Sequence, residues 1–134
     1  PIVLDAIPSS IADGDIKSFL IALDRHNSDS QNPISILRTT ISYFQKLRTA
    51  RALVDQGRSA KDAISSLRPP VFWNKKFDFE RQLKRWSTNQ LNDLLERLQD
   101  AELLCKTTGY PAMTITSQIL LGLCIKGSKR ALSS

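Results

Sequence analysis

The sequence predicts an all-α fold, a helical bundle of about six or seven helices, and three observations support this fold class. Apolar residues recur along most of the chain at intervals of three and four, which is the period of an amphipathic helix. Glycine and proline stand between these segments, where helices end and begin. No segment alternates apolar and polar residues over the length of a strand. With 134 residues, the chain is expected to form one domain.

The first two helices are predicted over residues 4–13 and about 15–25. Gly14 stands between them, where a helix C-cap favours glycine. The second helix has an apolar face, and residues 26–31 (HNSDSQ) follow as a polar loop. The single histidine, His26, is therefore expected in this loop as a solvated side chain.

A long helix over residues 33–56 and a short one over 60–67 come next. Asn32 is a favourable N-cap and Pro33 suits the first helical position, so this start is the clearest in the chain. Ser59 is expected to cap the short helix. The long helix is expected to bury one apolar stripe, formed by Ile34, Leu37, Ile41, Phe44, Leu47 and Val54.

Pro69 and Pro70 interrupt the helical pattern and predict an extended segment through Phe72. Helix is expected to resume over residues 78–86. The next helix begins after Ser87, which forms a capping box with Gln90, and ends before Gly109.

The last helix is predicted over residues 112–126, after Pro111. The domain organisation expected from this pattern is a helical domain over residues 1–126 and a flexible basic tail over 127–134. Leu121 and Ile125 belong to an apolar run that surrounds almost the whole circumference of the last helix. Because a helix that is apolar all round must be covered all round, we expect Leu121 or Ile125 to face either a partner subunit or a neighbouring molecule in a crystal, and both are candidate interface residues.

The residues required for common enzymatic chemistry are missing from the sequence. One histidine and two distant cysteines, Cys105 and Cys124, cannot form a standard zinc site. The five glycines form no phosphate-binding loop. The sequence therefore predicts no cofactor, no metal and no catalytic residues, and two buried, reduced thiols typical of a cytoplasmic protein. No apolar run approaches the length of a membrane span.

The segment over residues 68–87, RPPVFWNKKFDFERQLKRWS, combines five of the nine aromatic residues with six basic and two acidic residues. This composition is typical of a single-stranded nucleic-acid site, and equally of a packed joint between helices. On a helix, Phe79, Leu83 and Trp86 share one face and are predicted to be core. Arg81, Lys84 and Arg85 lie on the opposite face, where they are either solvated or turned towards a partner, and they are candidates for lying near DNA.

Five motifs, in order along the chain, carry a family resemblance. PISILR, FQKL, LRPPVFWNKK, FERQLKRWS and LNDLLERLQDAELLCKTTG together resemble the C-terminal domain of the delta subunit of bacterial DNA polymerase III, a part of the clamp loader. Its most specific part consists of the PPVF run, the QL-x-x-W motif (Gln82, Leu83 and Trp86) and the AE-x-x-x-K motif (Ala101, Glu102 and Lys106).

The resemblance implies a helical collar domain that holds a non-hydrolysing subunit in the five-membered clamp loader. The partners it implies are the ATPase subunits, the delta-prime subunit and, non-specifically, the DNA primer–template. The sliding clamp would be contacted only through an N-terminal region absent here; the chain starts at Pro1 and is expected to be a fragment. Phe72 and Trp73 would belong to a joint or subunit interface, and Tyr110 would lie near the primer end or be an ordinary loop tyrosine.

Two other functions remain open at this stage. The net charge is +6, and residues 68–134 contribute +5 of it, so the alternative is a free-standing basic helical nucleic-acid-binding domain. A small helical enzyme is the third alternative, but the sequence shows no site for it.

Overall fold

The structure of the chain is a computed structural model that describes residues 5–28, 32–107 and 109–133. This part of the chain forms seven α-helices and no strand, which confirms the predicted all-α fold. The helices are α1 (Ala6–Asp13), α2 (Ile16–Ser28), α3 (Pro33–Asp55), α4 (Ala60–Ser65), α5 (Lys76–Arg85), α6 (Thr88–Cys105) and α7 (Ala112–Ser133).

Capping side chains fix several of the helix starts. The Asn32 side chain accepts a hydrogen bond from the backbone N–H of Ile34 at 2.8 Å, and Ser59 caps α4. At the start of α6, the Ser87 hydroxyl accepts from the Gln90 N–H at 3.2 Å while the Gln90 side chain accepts from the Ser87 N–H at 2.9 Å. These bonds satisfy backbone donors that a helix start leaves without partners.

The helices pack around one continuous apolar core. α3 makes its most extensive contact with α6, and α7 lies against α1, α2, α3 and α6. The side chains that are completely buried include Phe19, Phe44, Leu37, Leu47, Leu83, Leu91, Leu98 and Leu120. Among the described residues, no helix is both long enough and apolar enough to cross a bilayer.

The prediction for His26 was wrong, because α2 continues through Ser28. His26 lies seven residues after Phe19, so both side chains share the buried face of α2, and His26 is only 2% exposed. Neither ring nitrogen has a hydrogen-bond partner among the described residues. Residues 29–31 of the predicted loop, and Leu4 at the predicted start of the first helix, lie outside the described residues.

The predicted end of the last helix was also too early, since α7 runs to Ser133 rather than to Lys126. Gly127 is buried in this helix and packs on α1, so the packed part of the chain extends past residue 126. The flexibility assigned to residues 127–134 stays a prediction.

Candidate interaction surfaces

The aromatic residues of 68–87 separate into a buried set and an exposed set. Phe79 and Trp86 are 2% and 3% exposed and belong to the core. Phe72, Trp73 and Phe77 are 71%, 85% and 78% exposed. The segment therefore contributes buried rings to a packed joint between helices and also carries three aromatic rings that are exposed to solvent.

Trp86 is the centre of the packed joint. Its indole N–H donates to the carbonyl oxygen of Ala12 at 2.9 Å, and its ring meets that of Phe44 edge-on at a centroid distance of 5.4 Å. Tyr43 packs edge-on against Phe79 at 5.5 Å and donates a hydrogen bond to the side chain of Gln82. Burial raises the pKa of the Tyr43 hydroxyl well above its ordinary value. These contacts join α5 to α1 and α3.

The basic residues on the outer side of α5 make contacts within the chain. The guanidinium of Arg81 binds both carboxylate oxygens of Asp13, at 2.9 and 3.0 Å, and also Asp78 at 3.0 Å. The hydrogen bonds that Arg81 donates to Asp13 raise the pKa of the guanidinium, and the bond to Asp78 adds to the effect. The ammonium of Lys84 lies 3.7 Å from Glu80. Part of the positive charge of this face is thus balanced by nearby carboxylates.

Arg85 joins two helices through their backbone. Its two terminal nitrogens donate to the carbonyl oxygens of Asp13 and Gly127, each at 2.8 Å. These carbonyls lie at the end of α1 and in α7. The predicted DNA-proximal role of Arg81, Lys84 and Arg85 stays a prediction, and the two arginines have a structural role that the sequence did not reveal.

The exposed aromatic residues form what we call the aromatic patch, defined as Phe72, Trp73 and Phe77 with Lys75 and Lys76. A 3₁₀ turn over Trp73–Lys75 leads directly into α5. The turn is held by a hydrogen bond from the Lys75 N–H to the Phe72 carbonyl at 2.9 Å. Val71, just before the patch, is partly buried against the core. The backbone that carries the rings is therefore anchored on both sides.

The sequence pattern did not single out Phe77 as a surface residue, because the apolar face predicted for this helix was that of Phe79, Leu83 and Trp86. A helical period places Arg81 and Lys84 four and seven residues after Phe77, on the same outer side of α5. This spacing was the available signal. It shows that an aromatic ring and basic side chains share one exposed face.

A groove of about 750 Å³ lies beside the aromatic patch, between α1, α2, α3 and the segment before α5. Phe72 and Lys75 border it on one side and Ile21 on the other. Its charged lining is balanced, with four carboxylates and four cations, namely Asp5, Asp13, Asp15 and Asp78, and Arg25, Arg38, Lys46 and Lys75. A groove of balanced charge does not attract a polyanion, so its electrostatics differ from those of the patch.

α7 presents the residues that were predicted to meet a partner subunit. Its buried side is formed by Thr116, Leu120, Leu123, Cys124 and Gly127. Leu121 lies on the flank of this side and is partly buried against the core, and Ile125 lies nearer the outer side and is also partly buried. Tyr110, in the turn before α7, is 52% exposed. The interface role of Leu121 and Ile125 and the DNA role of Tyr110 stay predictions.

Both cysteines are free and buried, as predicted. Burial raises the pKa of the Cys124 thiol to about 11, so this thiol is protonated and unreactive at neutral pH. Within the described residues, no group of three or more histidine, cysteine or acidic side chains could hold a metal ion.

Comparison with known proteins relates the chain to one kind of subunit. No protein-family model matches it. Over 88 residues, or 66% of this chain, it is 31% identical to the probable DNA polymerase III subunit delta of Rickettsia prowazekii. The fold is similar to that of the Bacillus subtilis DNA clamp loader delta protein, with a TM-score of 0.73 over 91% of this chain and 18% identity. The chain spans 27% of the first protein and 35% of the second, and the predicted resemblance to delta subunits is confirmed.

Proposed function

Because the chain is related to clamp-loader delta subunits, we propose that it is the collar domain of such a subunit and acts in assembly rather than catalysis. The observation that carries this proposal is the combination of sequence similarity to a delta subunit with fold similarity to another over nearly the whole chain. The partners that we propose are the ATPase subunits and delta-prime, in the cytoplasm. Binding of DNA would be secondary and independent of sequence.

An assembly domain should leave apolar surface available after it has folded. Ile125 on α7 is a partly exposed apolar residue on the side away from the core. Phe72 and Trp73 are strongly exposed and are also compatible with an interface, although a different occupant is argued below for the patch that contains them. Neighbouring subunits would complete the burial that the isolated chain cannot provide.

Copurification tests this proposal directly. The tagged 134-residue chain would be coexpressed with the ATPase and delta-prime subunits of the same organism. We expect the three to copurify as a stable complex in the absence of DNA. The chain alone should show no ATP binding by calorimetry. Failure of the chain to associate with either partner, at concentrations where the partners associate with each other, would exclude the collar function.

A further inference from the structure

We propose that the aromatic patch is a binding site for single-stranded nucleic acid, whose bases stack on Trp73, Phe77 and Phe72. The patch is distinct from the residues of α7 proposed for assembly, and the inference does not depend on the collar function. Exposed aromatic rings close to basic side chains are the usual elements of such sites, because every base has a face that can stack and every nucleotide a phosphate.

Exposure is the first argument for this site. The three rings are 71–85% exposed, whereas Phe19, Phe44, Phe79 and Trp86 are buried. The three rings stand within six residues of the sequence, and an exposed apolar patch marks an interaction surface more often than isolated apolar residues do. Their carrying segment is anchored by Val71 and by the hydrogen bond between Phe72 and Lys75, so little ordering would be required on binding.

Charge is the second argument, and it specifies the partner. Residues 68–77 contain Arg68, Lys75 and Lys76 and no acidic residue. The nearest acidic residue in sequence, Asp78, is already bound by Arg81. Within its own segment the patch carries Lys75 and Lys76 and no carboxylate, and the carboxylates of the neighbouring groove lie on the side of Phe72 and Lys75. This local excess of positive charge complements a phosphate backbone. Phe77 also shares the outer side of α5 with Lys84, whose ammonium lies 3.7 Å from Glu80.

The composition of the patch favours nucleic acid over a protein partner. Lysine is depleted in protein–protein interfaces, where burying an ammonium is costly, while aromatic residues are enriched in both kinds of site. Lys75 and Lys76 stand between Trp73 and Phe77 in the sequence, so a protein that covered both rings would have to cover or displace these lysines. A single strand of nucleic acid can contact both kinds of side chain, because its bases stack on the rings and its phosphates bind the lysines.

The test is fluorescence titration of the 134-residue chain with oligothymidine of about 16 nucleotides, within the range of known site sizes. The chain has two tryptophans, of which Trp73 is exposed and Trp86 is buried, so stacking should quench the exposed, red-shifted component. Trp73→Phe should remove the quenching and keep the binding. A duplex of equal length should bind more weakly, because its bases are not available to stack.

Matched variants separate stacking from simple charge attraction. By anisotropy with a labelled strand, we expect Trp73→Ala and Phe77→Ala each to weaken binding by about tenfold. Leu103→Ala is the control, since Leu103 is a comparably exposed apolar residue on α6, 69% exposed, and should bind as the parent chain does. Lys75→Gln with Lys76→Gln should reduce the dependence of affinity on salt concentration.

Three results would overturn the proposal. One is wild-type chain that binds oligothymidine without any change in Trp73 emission. Another is binding that depends on the lysines but not on Trp73 or Phe77, which would indicate charge attraction alone. The third is that the parent chain does not bind oligothymidine. If Trp73→Ala then also fails to copurify with clamp-loader subunits, the patch is a protein interface. The first two results would leave the outcome expected for assembly through α7 unchanged.

Discussion

Trp86 contacts more of the helices than its position just after α5 suggests. Its ring packs on Phe44 of α3, its N–H binds the carbonyl of Ala12 in α1, and its six-membered ring approaches Gly127 of α7. The residue therefore combines a large apolar area with a satisfied polar atom, the condition under which a tryptophan is stably buried. Three helices, α1, α3 and α7, are in contact with this one side chain.

We expect Trp86→Ala to lower the free energy of unfolding by about 3–5 kcal/mol, because truncation of a core aromatic residue leaves a cavity. Urea unfolding followed by circular dichroism measures the change. Lys84→Gln, at an exposed position near the end of α5, is the control and should change stability by no more than about 0.5 kcal/mol. A neutral Trp86→Ala combined with a severe Lys84→Gln would contradict the assignment of the two faces.

Arg85 should be more important for stability than an ordinary basic surface residue. Arg85→Leu removes both donors to the carbonyls of Asp13 and Gly127, and we expect a loss of about 1–3 kcal/mol. Arg85→Lys should recover only part of this loss, since one ammonium cannot reproduce the geometry of two guanidinium nitrogens. If Arg85→Leu and the parent chain had the same free energy of unfolding in urea titrations, water would replace these two hydrogen bonds without loss of stability.

At the level of elements, local signals predicted the helices well and their ends less well. The capping residues Asn32, Ser59 and Ser87 act on donors within three residues, so sequence alone identifies them. The end of α2 lacks such a signal, and the polar residues after Arg25 concealed the fact that His26 continues the buried face. Tertiary packing of His26, rather than a local signal, accompanies the extension of α2 to Ser28.

The contacts of the candidate surfaces were harder to predict, for the same reason. Arg81 meets Asp13 across 68 residues of sequence, and Arg85 meets the backbone of Gly127 across 42. No local periodicity reports such pairs. The exposure of Phe77, in contrast, follows from its helical phase relative to Phe79 and was available in the sequence.

The junction of α1 and α7 leads to a prediction about two glycines. Gly14 has a φ of 67°, and a Cβ there would lie 2.7 Å from the backbone nitrogen of Ser128. Gly57 also has a positive φ, of 108°, but a Cβ there would have no neighbour within 4 Å. Gly14→Ala combines a disfavoured conformation with a backbone collision, whereas Gly57→Ala has only the first.

We therefore expect Gly14→Ala to lower the melting temperature more than Gly57→Ala does, as measured by thermal unfolding of both variants. The conformational cost alone is about 1–3 kcal/mol for each. If the two alanine variants melted at the same temperature, α1 and α7 would have to separate readily, and the close contact at Gly14 would not contribute to stability.

For the whole molecule, the proposed assembly role depends on which apolar surface remains exposed after folding. α7 contacts four helices through one side, and Ile125 lies towards its other side. Ile125→Glu should weaken copurification with the ATPase and delta-prime subunits by about tenfold or more, because an unpaired charge would be buried at the interface. Its helical signal and melting temperature should stay close to those of the parent chain. Leu103→Glu, an exposed site on α6, is the matched control and should leave assembly unchanged.

Leu121 provides the contrast that makes this experiment selective. Its side chain is partly packed on the core, so Leu121→Glu should reduce both the stability of the isolated chain and its assembly. If Ile125→Glu unfolded the chain as well, the outer side of α7 would be part of the core. If Ile125→Glu assembled normally, the contact with neighbouring subunits would lie elsewhere, and the exposed side of α3, the longest helix of the bundle, would be the next surface to change.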